Sequence, residues 1–396
     1  MKPLATQAAV QPGPLFALLL VALNLRPALA SLGPVLESLR ADLHLSYKVL
    51  GLFTSVSTIC MGLFAPLTMP LHTRLGLKRT VLSMLLLLAV GTLLRVQATL
   101  NYLLLSSLLI GIAIALLGPL LNSYIKLAFA ENGARVSGWV TTALCLGAAL
   151  AAGSSAVLSR RLGWPLALGS WALLALAAAW QWQYRIPNPP QRQVRLKQRL
   201  PWNQLRAWLL MLVFGLNSLV FYGLLTWLAP AYMGYGLSAA GAGQLLGVFA
   251  LVQIIGTLSV SALPTQQRER RPAFLVAGLC TIGGLLGVWQ LPLTAPYLWV
   301  SMLGAGTAAL FALTLILPLD YSDSPESAGH WTSMMSSGGY LIAACGPYLC
   351  GALRDFTGGY AAVFVALVIV GSAALLLSLT LGPIKSIAAT HHELIH

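Results

Sequence analysis

Charged residues, and acidic ones above all, are scarce in this sequence of 396 residues. They make up 8% of the chain, whereas 58% of the chain is hydrophobic. A soluble domain carries about 25% charged residues, which cover its surface. The composition therefore excludes an ordinary soluble protein.

Only nine residues are acidic, and none lies near the middle of a long apolar run. They are Glu37, Asp42, Glu131, Glu269, Asp320, Asp323, Glu326, Asp355 and Glu393. A basic residue inside such a run consequently has no obvious carboxylate at its depth. A proton relay within the membrane, which usually employs a carboxylate or a histidine, is equally unsupported.

Motifs of catalysis and of metal or nucleotide binding are also missing. The sequence contains no G-x-x-x-x-G-K-[ST] loop, no G-x-S-x-G and no His/Cys pattern with metal-ligand spacing. Its five cysteines lie in apolar segments without a C-x-x-C pair, so we interpret them as small core residues. The formal net charge of +14 lies in short clusters and forms no continuous basic stripe. We therefore expect no enzyme activity, no metal, no cofactor and no nucleic-acid partner.

What the sequence does contain is a series of long apolar runs. A transmembrane helix needs about 20 mostly apolar residues, and twelve runs meet this length. They lie at approximately 14–37, 47–71, 79–98, 100–122, 137–159, 164–183, 206–231, 240–263, 272–291, 296–318, 330–353 and 359–382. The sequence thus predicts an all-α membrane protein with twelve transmembrane helices.

The longest polar connection separates the sixth run from the seventh, and it carries six basic residues. It divides the chain into an N-terminal bundle at 1–184, a basic linker at 185–206 and a C-terminal bundle with a short tail at 207–396. A weak internal repeat supports this division. The repeated residues are Leu23-Asn24 with Leu216-Asn217, 193 positions apart, and Trp139 and Gly147 with Trp331 and Gly339, 192 positions apart. We therefore predict two pseudo-symmetric six-helix bundles, an architecture in which transporters place a site between the repeats.

The distribution of basic residues predicts the orientation in the membrane. With both termini cytoplasmic, the inner connections carry 16 lysines and arginines and the outer ones carry six. The N-terminus resembles a secretory signal, but Asn24 and Arg26 interrupt its apolar run, so we interpret it as an uncleaved first helix. The chain is thus predicted to be a multi-pass protein of a bacterial inner membrane.

Arg26 lies halfway along the first predicted span and is the only charged residue between positions 14 and 36. A guanidinium keeps its charge at mid-bilayer, where it costs about 2.5–3.5 kcal/mol. One explanation is that its counter-charge is a small anionic solute, bound through paired hydrogen bonds. The alternative is a structural role, in which Arg26 ties helices together through carbonyl groups and polar residues of spans 1 and 7.

Polar and aromatic residues on spans 1, 7 and 11 could line a cavity together with Arg26. The candidate solute contacts are Asn24, Asn217, Tyr222, Trp227, Ser336 and Tyr340. Trp227 lies nearer the predicted outer end and could equally belong to the interfacial aromatic belt. Ser336 belongs to a run of small residues that could instead serve close helix packing.

One segment between spans 2 and 3 resembles the signature G-x-x-x-D-R-x-G-R-R of the major facilitator superfamily. This segment reads MPLHTRLGLKR at 69–79, and Arg74, Gly76 and Lys78 match the signature. The first Gly and the Asp of the signature are replaced by Met and Thr. The resemblance implies that these matching residues contribute to conformational gating.

Further segments resemble the cyanate transporter subfamily, and the resemblance covers essentially the whole chain. The segments are NLRPALASLGPVL at 24–36, Ile125-Lys126, Leu319-Asp320, and the pair formed by Tyr222 and Trp227-Leu228. We assign gating roles to Lys126 and Asp320 as well, although Lys126 could simply extend to the lipid headgroups. The resemblance implies small anions or small heteroaromatic compounds as solutes.

We therefore expect a monomeric secondary transporter in a lipid bilayer that moves a small anionic or polar solute, with Arg26 as its charge partner. The alternative is a carrier for neutral small aromatic compounds such as nitroimidazoles, with Arg26 in a structural role. A membrane sensor that transports nothing would need a cytoplasmic module, and the longest polar segment is only the connection at 185–206.

Overall fold

The computed structural model describes residues 11–187, 201–263, 269–322 and 325–381, and every regular element in these ranges is helical. Most of the predicted linker, at 188–200, lies outside the described residues, as do both ends of the chain. The domain boundaries at 184 and 206 therefore stay predictions.

The described residues of the first half of the chain form ten α-helices. They are α1 (Pro12–Asn24), α2 (Pro27–Ala30), α3 (Leu36–Leu43), α4 (Tyr47–Phe64), α5 (Thr68–Leu75), α6 (Leu77–Leu93), α7 (Leu100–Ala128), α8 (Gly133–Leu162), α9 (Trp164–Gly169) and α10 (Trp171–Arg185). Short 3-10 turns at Gly33–Val35, Ala65–Leu67, Leu94–Gln97 and Ala130–Asn132 join several of them.

The described residues of the second half form seven α-helices. They are α11 (Leu205–Gly234), α12 (Ala239–Ser261), α13 (Arg271–Gln290), α14 (Pro296–Tyr321), α15 (Pro325–Ala343), α16 (Cys345–Thr357) and α17 (Ala361–Thr380).

By length and composition, ten helical segments of the described chain could cross a membrane. Two more are interrupted helices, in which α9 meets α10 at Ser170 and α15 meets α16 at Ala344. These twelve segments correspond to the twelve predicted spans. The prediction of an all-α membrane protein is confirmed, and these segments are consistent with the predicted twelve helices in two six-helix bundles.

The first span is also interrupted, at Leu25 and Arg26 between α1 and α2. Pro27 has no backbone N–H, so the carbonyl of Leu23, four residues earlier, loses its helical donor. The break places Arg26 outside regular helix at the centre of the span.

The two halves repeat one packing arrangement, as the sequence predicted. Helix α8 packs on α1, and its counterpart α15 packs on α11. Gly147 of α8 lies against the backbone of Leu23, and Gly339 of α15 lies against Gly215, 192 residues further along in both cases. Small residues at these positions let the helix backbones approach closely.

Most of the cysteines are packed as expected, since Cys60, Cys145 and Cys350 are buried and all five are free thiols. Cys345 is the exception and is exposed. It begins α16 just after the break at Ala344, and an apolar side chain that faces lipid costs little.

Side chains of the two bundles contact one another at one end of the molecule, which we call the sealed end. It consists of Glu37, Tyr47, Trp227, Arg354, Asp355 and Tyr360. Backbone N–H groups of Tyr47 and Lys48, at the start of α4, donate to the two oxygens of Asp355 at 3.0 and 2.9 Å. These N–H groups have no partner within their own helix, so the second bundle caps a helix of the first.

Aromatic rings pack across the same end. The ring of Tyr47 lies 5.9 Å from that of Trp227 and 6.4 Å from that of Tyr360. Burial and the neighbouring Glu37 carboxylate raise the pKa of Tyr360, so its hydroxyl stays protonated and donates to Glu37 at 3.4 Å. The predicted orientation places this sealed end on the outer side of the membrane.

Candidate functional site

Arg26 extends from the break in span 1 into the interface between the bundles. Its Nη1 donates a hydrogen bond of 2.6 Å to Oε1 of Gln253 on α12. Its guanidinium carbon lies 5.2 Å from the centroid of the Phe221 ring on α11, a cation–π distance. Both partners belong to the second bundle, so Arg26 bridges the two halves.

Aromatic rings surround this contact. Phe221 stacks on Phe249 at 6.0 Å and meets Tyr222 edge-on at 5.1 Å. Tyr222 in turn lies 6.3 Å from Tyr340 on α15. One positive charge thus lies beside a group of aromatic rings.

No carboxylate pairs with Arg26 within the part of the chain that the structure describes. The ion pairs found there join Arg40 to Glu37, Arg270 to Asp320 and Arg271 to Glu269. The amide oxygen of Gln253 accepts a hydrogen bond but carries no charge. The amide dipole of Gln253 and the ring face of Phe221 therefore stabilise the charge of Arg26, but no negative charge among the described residues neutralises it.

Four of the predicted residues lie on α11 or α15, the helices that carry Phe221 and Tyr340. Tyr222 and Tyr340 belong to the cluster, and the Tyr222 hydroxyl contacts the sulfur of Met61 at 3.4 Å. Ser336 lies one helical turn before Tyr340 and is partly buried. Asn217 lies one turn before Phe221 on α11, and its buried Nδ2 has no hydrogen-bond partner.

Two other predicted residues have partners elsewhere. Asn24 donates from Nδ2 to the carbonyls of Leu20 and Leu174, which ties α1 to α10 within the first bundle. Trp227 is 1% exposed, and its indole N–H donates to the carbonyl of Pro347 at 2.8 Å in the sealed end. The structure does not bring either residue to Arg26.

The predicted gating residues lie away from Arg26. Gly76 joins α5 to α6 with φ of 80°, a conformation that favours glycine. Arg74 and Lys126 are exposed, and the carbonyl of Lys78 accepts from the indole of Trp182. Asp320 pairs with Arg270 at 3.3 Å within the second bundle.

Sequence reasoning did not include Gln253 or Phe221 among the site residues. Gln253 is 3% exposed in an otherwise apolar span, and that isolated amide was the available signal. Phe221 gave no signal, because a phenylalanine in a membrane span is ordinary.

A third residue, Arg95, is fully buried and donates from Nη1 to the Ala28 carbonyl at 2.7 Å, directly after the break.

The described residues contain no group of three His, Cys, Asp or Glu side chains that could hold a metal. A cavity of about 500 Å³ lies between α1 and α8, and its lining is almost entirely apolar. Leu23, three residues before Arg26, forms part of that lining.

Comparisons with known proteins identify the family of this chain. The sequence profile of the Major Facilitator Superfamily matches residues 16–328. The chain is 33% identical over 385 residues to the cyanate transport protein CynX of Escherichia coli (strain K12), covering 94% of this chain and 97% of CynX. It is 30% identical over 378 residues to the 2-nitroimidazole transporter of the same organism, covering 93% and 95%.

A solved structure shows the same fold. The inward open xylose transporter XylE from E. coli superposes with a TM-score of 0.77 at 13% identity, covering 94% of this chain and 97% of XylE. The family match confirms a transporter that binds small-molecule solutes, and it confirms the expectation that the protein is not an enzyme. This chain is a multi-pass membrane transporter that belongs to the major facilitator superfamily.

Proposed function

We propose that the protein is a secondary active transporter that moves a small anionic or polar solute across the inner membrane by alternating access, with Arg26 as the charge partner. One observation supports this most directly. Arg26 lies at the interface between the bundles, partly buried, with a neutral amide and a ring face as its partners.

Energetics favour an anionic occupant of this site. A charge at mid-membrane is costly unless something compensates it, and a bound anion would do so. The guanidinium has five N–H donors in a planar fork, and Gln253 accepts from Nη1. A small anion such as cyanate or a carboxylate could accept paired hydrogen bonds from this fork. CynX, which is named for cyanate transport, supports the same solute class.

The aromatic rings favour a second candidate, a neutral small aromatic solute. Phe221, Tyr222 and Tyr340 offer ring faces and edges next to Arg26, and such surfaces bind planar rings. A relative is named as a 2-nitroimidazole transporter. In this case Arg26 would hold the bundles together through Gln253, and transport would not need its charge.

The other residues predicted from the sequence extend the first proposal. Asn217, Tyr222, Ser336 and Tyr340 would orient the solute from the second bundle. Arg74, Gly76, Lys78, Lys126 and Asp320 would act in gating at the end opposite the sealed end. Both termini would be cytoplasmic, as the 16 to 6 distribution of basic residues indicates.

Uptake into proteoliposomes by Arg26→Ala and Arg26→Lys tests the proposal. We expect Arg26→Ala to lose cyanate or benzoate uptake by about 10- to 100-fold, because a charge-assisted hydrogen bond contributes about 1.5–3 kcal/mol. Arg26→Lys should also be impaired, since an ammonium lacks the planar fork. The matched control is Arg160→Lys, a conservative change at an exposed arginine.

Anion uptake at the wild-type rate by Arg26→Ala would refute the charge-partner role. If Arg26→Ala lost no 2-nitroimidazole uptake, and the wild type moved no anion, the protein would be a carrier for neutral aromatic solutes. Reconstitution of equal amounts of folded protein, checked by size-exclusion chromatography, separates loss of function from loss of fold.

A further inference from the structure

We propose that Gln253 determines the charge selectivity of the site, because its neutral amide holds a place on Arg26 that an anionic solute takes on binding. This inference rests on the proposed function, in which Arg26 binds the solute. It goes further by assigning a role to a residue of the other bundle.

The geometry shows a direct and specific contact. Oε1 of Gln253 lies 2.6 Å from Nη1 of Arg26, a short distance that is typical of a charge-assisted hydrogen bond. Gln253 is 3% exposed, so the contact is made away from bulk solvent. The two residues are 227 positions apart and belong to different bundles, so the contact depends on the bundle interface.

Gln253 carries no charge, and this determines what Arg26 can bind. A glutamate at position 253 would have nearly the same shape and would place a carboxylate oxygen against the guanidinium. The resulting ion pair would neutralise Arg26, and an anionic solute would then meet a site without net charge. Glutamine instead orients the guanidinium and leaves its charge available.

The same neutrality makes the contact replaceable. An amide oxygen is a weaker partner for a guanidinium than an anion, because it carries only a partial negative charge, whereas an anion adds the Coulombic attraction of a full charge. An incoming anion can therefore displace Gln253 from Nη1 and gain by the exchange. A neutral solute gains much less, so the site favours anions.

Binding of an anion also removes a hydrogen bond between the bundles. The Arg26–Gln253 bond joins α12 to the break between α1 and α2, and it is lost when the solute takes the same N–H of Nη1. Solute binding at this atom thus loosens one cross-bundle contact near the site.

Gln253→Glu in the full-length protein is the decisive variant, and Gln244→Glu is its matched control. Gln244 lies on the same helix but is exposed, so the control adds the same charge to α12 without contacting Arg26. We expect Gln253→Glu to weaken cyanate and benzoate binding at least tenfold and to change 2-nitroimidazole binding by less than threefold. Gln244→Glu should bind all three compounds like the wild type.

A second variant separates a replaceable partner from a direct solute ligand. Gln253→Met has similar length but cannot accept a strong hydrogen bond, so it removes the competitor without adding charge. We expect its affinity for cyanate and benzoate to equal or exceed that of the wild type. A loss of more than tenfold in folded Gln253→Met would overturn the inference, because Gln253 would then bind the solute itself.

A stability measurement tests the contact without any solute. The new ion pair in Gln253→Glu should raise the melting temperature above that of the wild type, and Gln244→Glu should leave it unchanged. Wild-type anion binding by Gln253→Glu, with Arg26→Ala inactive, would overturn this inference and leave the proposed function intact. Wild-type anion uptake by Arg26→Ala would instead overturn the proposed function, whatever the position 253 variants do.

Discussion

Two arginines of the first bundle lie near the break in span 1, and their partners differ in kind. Arg95 is 1% exposed and binds within its own bundle, to the Ser106 hydroxyl at 3.1 Å and the Ala28 carbonyl at 2.7 Å. Arg26 reaches Gln253 in the other bundle. Arg95 therefore fixes the chain just after the break, and it positions Arg26 without contacting the other half.

Arg95→Lys should destabilise the protein while conserving its charge. A lysine has one ammonium group and cannot reach Ser106 and Ala28 with the geometry of the guanidinium fork. Loss of one hydrogen bond to a charged group costs about 1.5–3 kcal/mol, which should lower the melting temperature in detergent by several degrees. Arg160→Lys at an exposed position is the control, and equal melting temperatures for the two variants would contradict the positioning role.

The sequence singled out Arg26 correctly as an unusual residue, because depth in the membrane can be estimated from hydropathy. It could not show that Gln253 is the partner of Arg26, because a partner in another bundle depends on which helix faces meet. Trp227 illustrates the same limit. Its height along span 7 was estimated from the sequence, but its contact with Pro347 in the sealed end depends on helix rotation and on the approach of α16.

At the scale of the helices, the break in span 1 depends on its neighbour α8. A Cβ atom added to Gly147 would collide with the carbonyl oxygen of Leu23, the group that Pro27 leaves without its helical donor. Glycine at this position lets α8 approach the backbone of α1 just before Arg26.

Gly147→Ala should therefore be destabilising and should displace Arg26. An added methyl group must push α1 and α8 apart, and overpacking of this kind typically costs about 1–3 kcal/mol. Gly153→Ala on the same helix is the matched control, because a Cβ there meets no atom within 4 Å. It should be neutral or up to about 1 kcal/mol stabilising through helix propensity. Thermal melts and solute affinity measure both effects, and similar behaviour of the two variants would exclude a special role for the contact.

Element boundaries were predictable where a helix is continuous. The predicted spans at 100–122 and 206–231 correspond to α7 (Leu100–Ala128) and α11 (Leu205–Gly234). The interruptions at Ser170 and Ala344 were not predicted. Hydropathy reports the burial of side chains, whereas a break is a change in backbone hydrogen bonding, which leaves the hydropathy of the segment nearly unaltered.

At the scale of the molecule, the two bundles meet through the sealed end, where Asp355 caps α4 of the other bundle. The alternating access proposed above would require this end to open, and the start of α4 would then lose its cap to water. The carboxylate of Asp355 thus stabilises the closed form of this end relative to the open one.

Asp355→Ala should shift the protein towards opening at the sealed end. A lost helix cap costs about 0.5–2 kcal/mol, which corresponds to an approximately 2- to 30-fold change in the opening equilibrium. Labelling by a membrane-impermeant maleimide at Ala229→Cys, in a background without the native cysteines, measures this opening. Ala229 is fully buried and packs near Gly33 of the first bundle.

Asp42→Ala is the control for that measurement. Asp42 lies near the same end but accepts a hydrogen bond from Trp164 within its own bundle. Its removal should change the labelling rate at position 229 by less than twofold. Equal acceleration by both variants would mean that general loosening, and not the cap, controls access.

The position of Arg26 behind the sealed end has an electrical consequence. The transmembrane voltage falls mainly across whichever end of the transporter excludes water, so reorientation moves the Arg26 charge from one side of that drop to the other. An empty carrier would therefore move one positive charge, at about 2.3 kcal/mol per 100 mV. A carrier loaded with a monoanion would move none. Voltage would act on the return of the empty protein and leave the loaded step nearly unaffected.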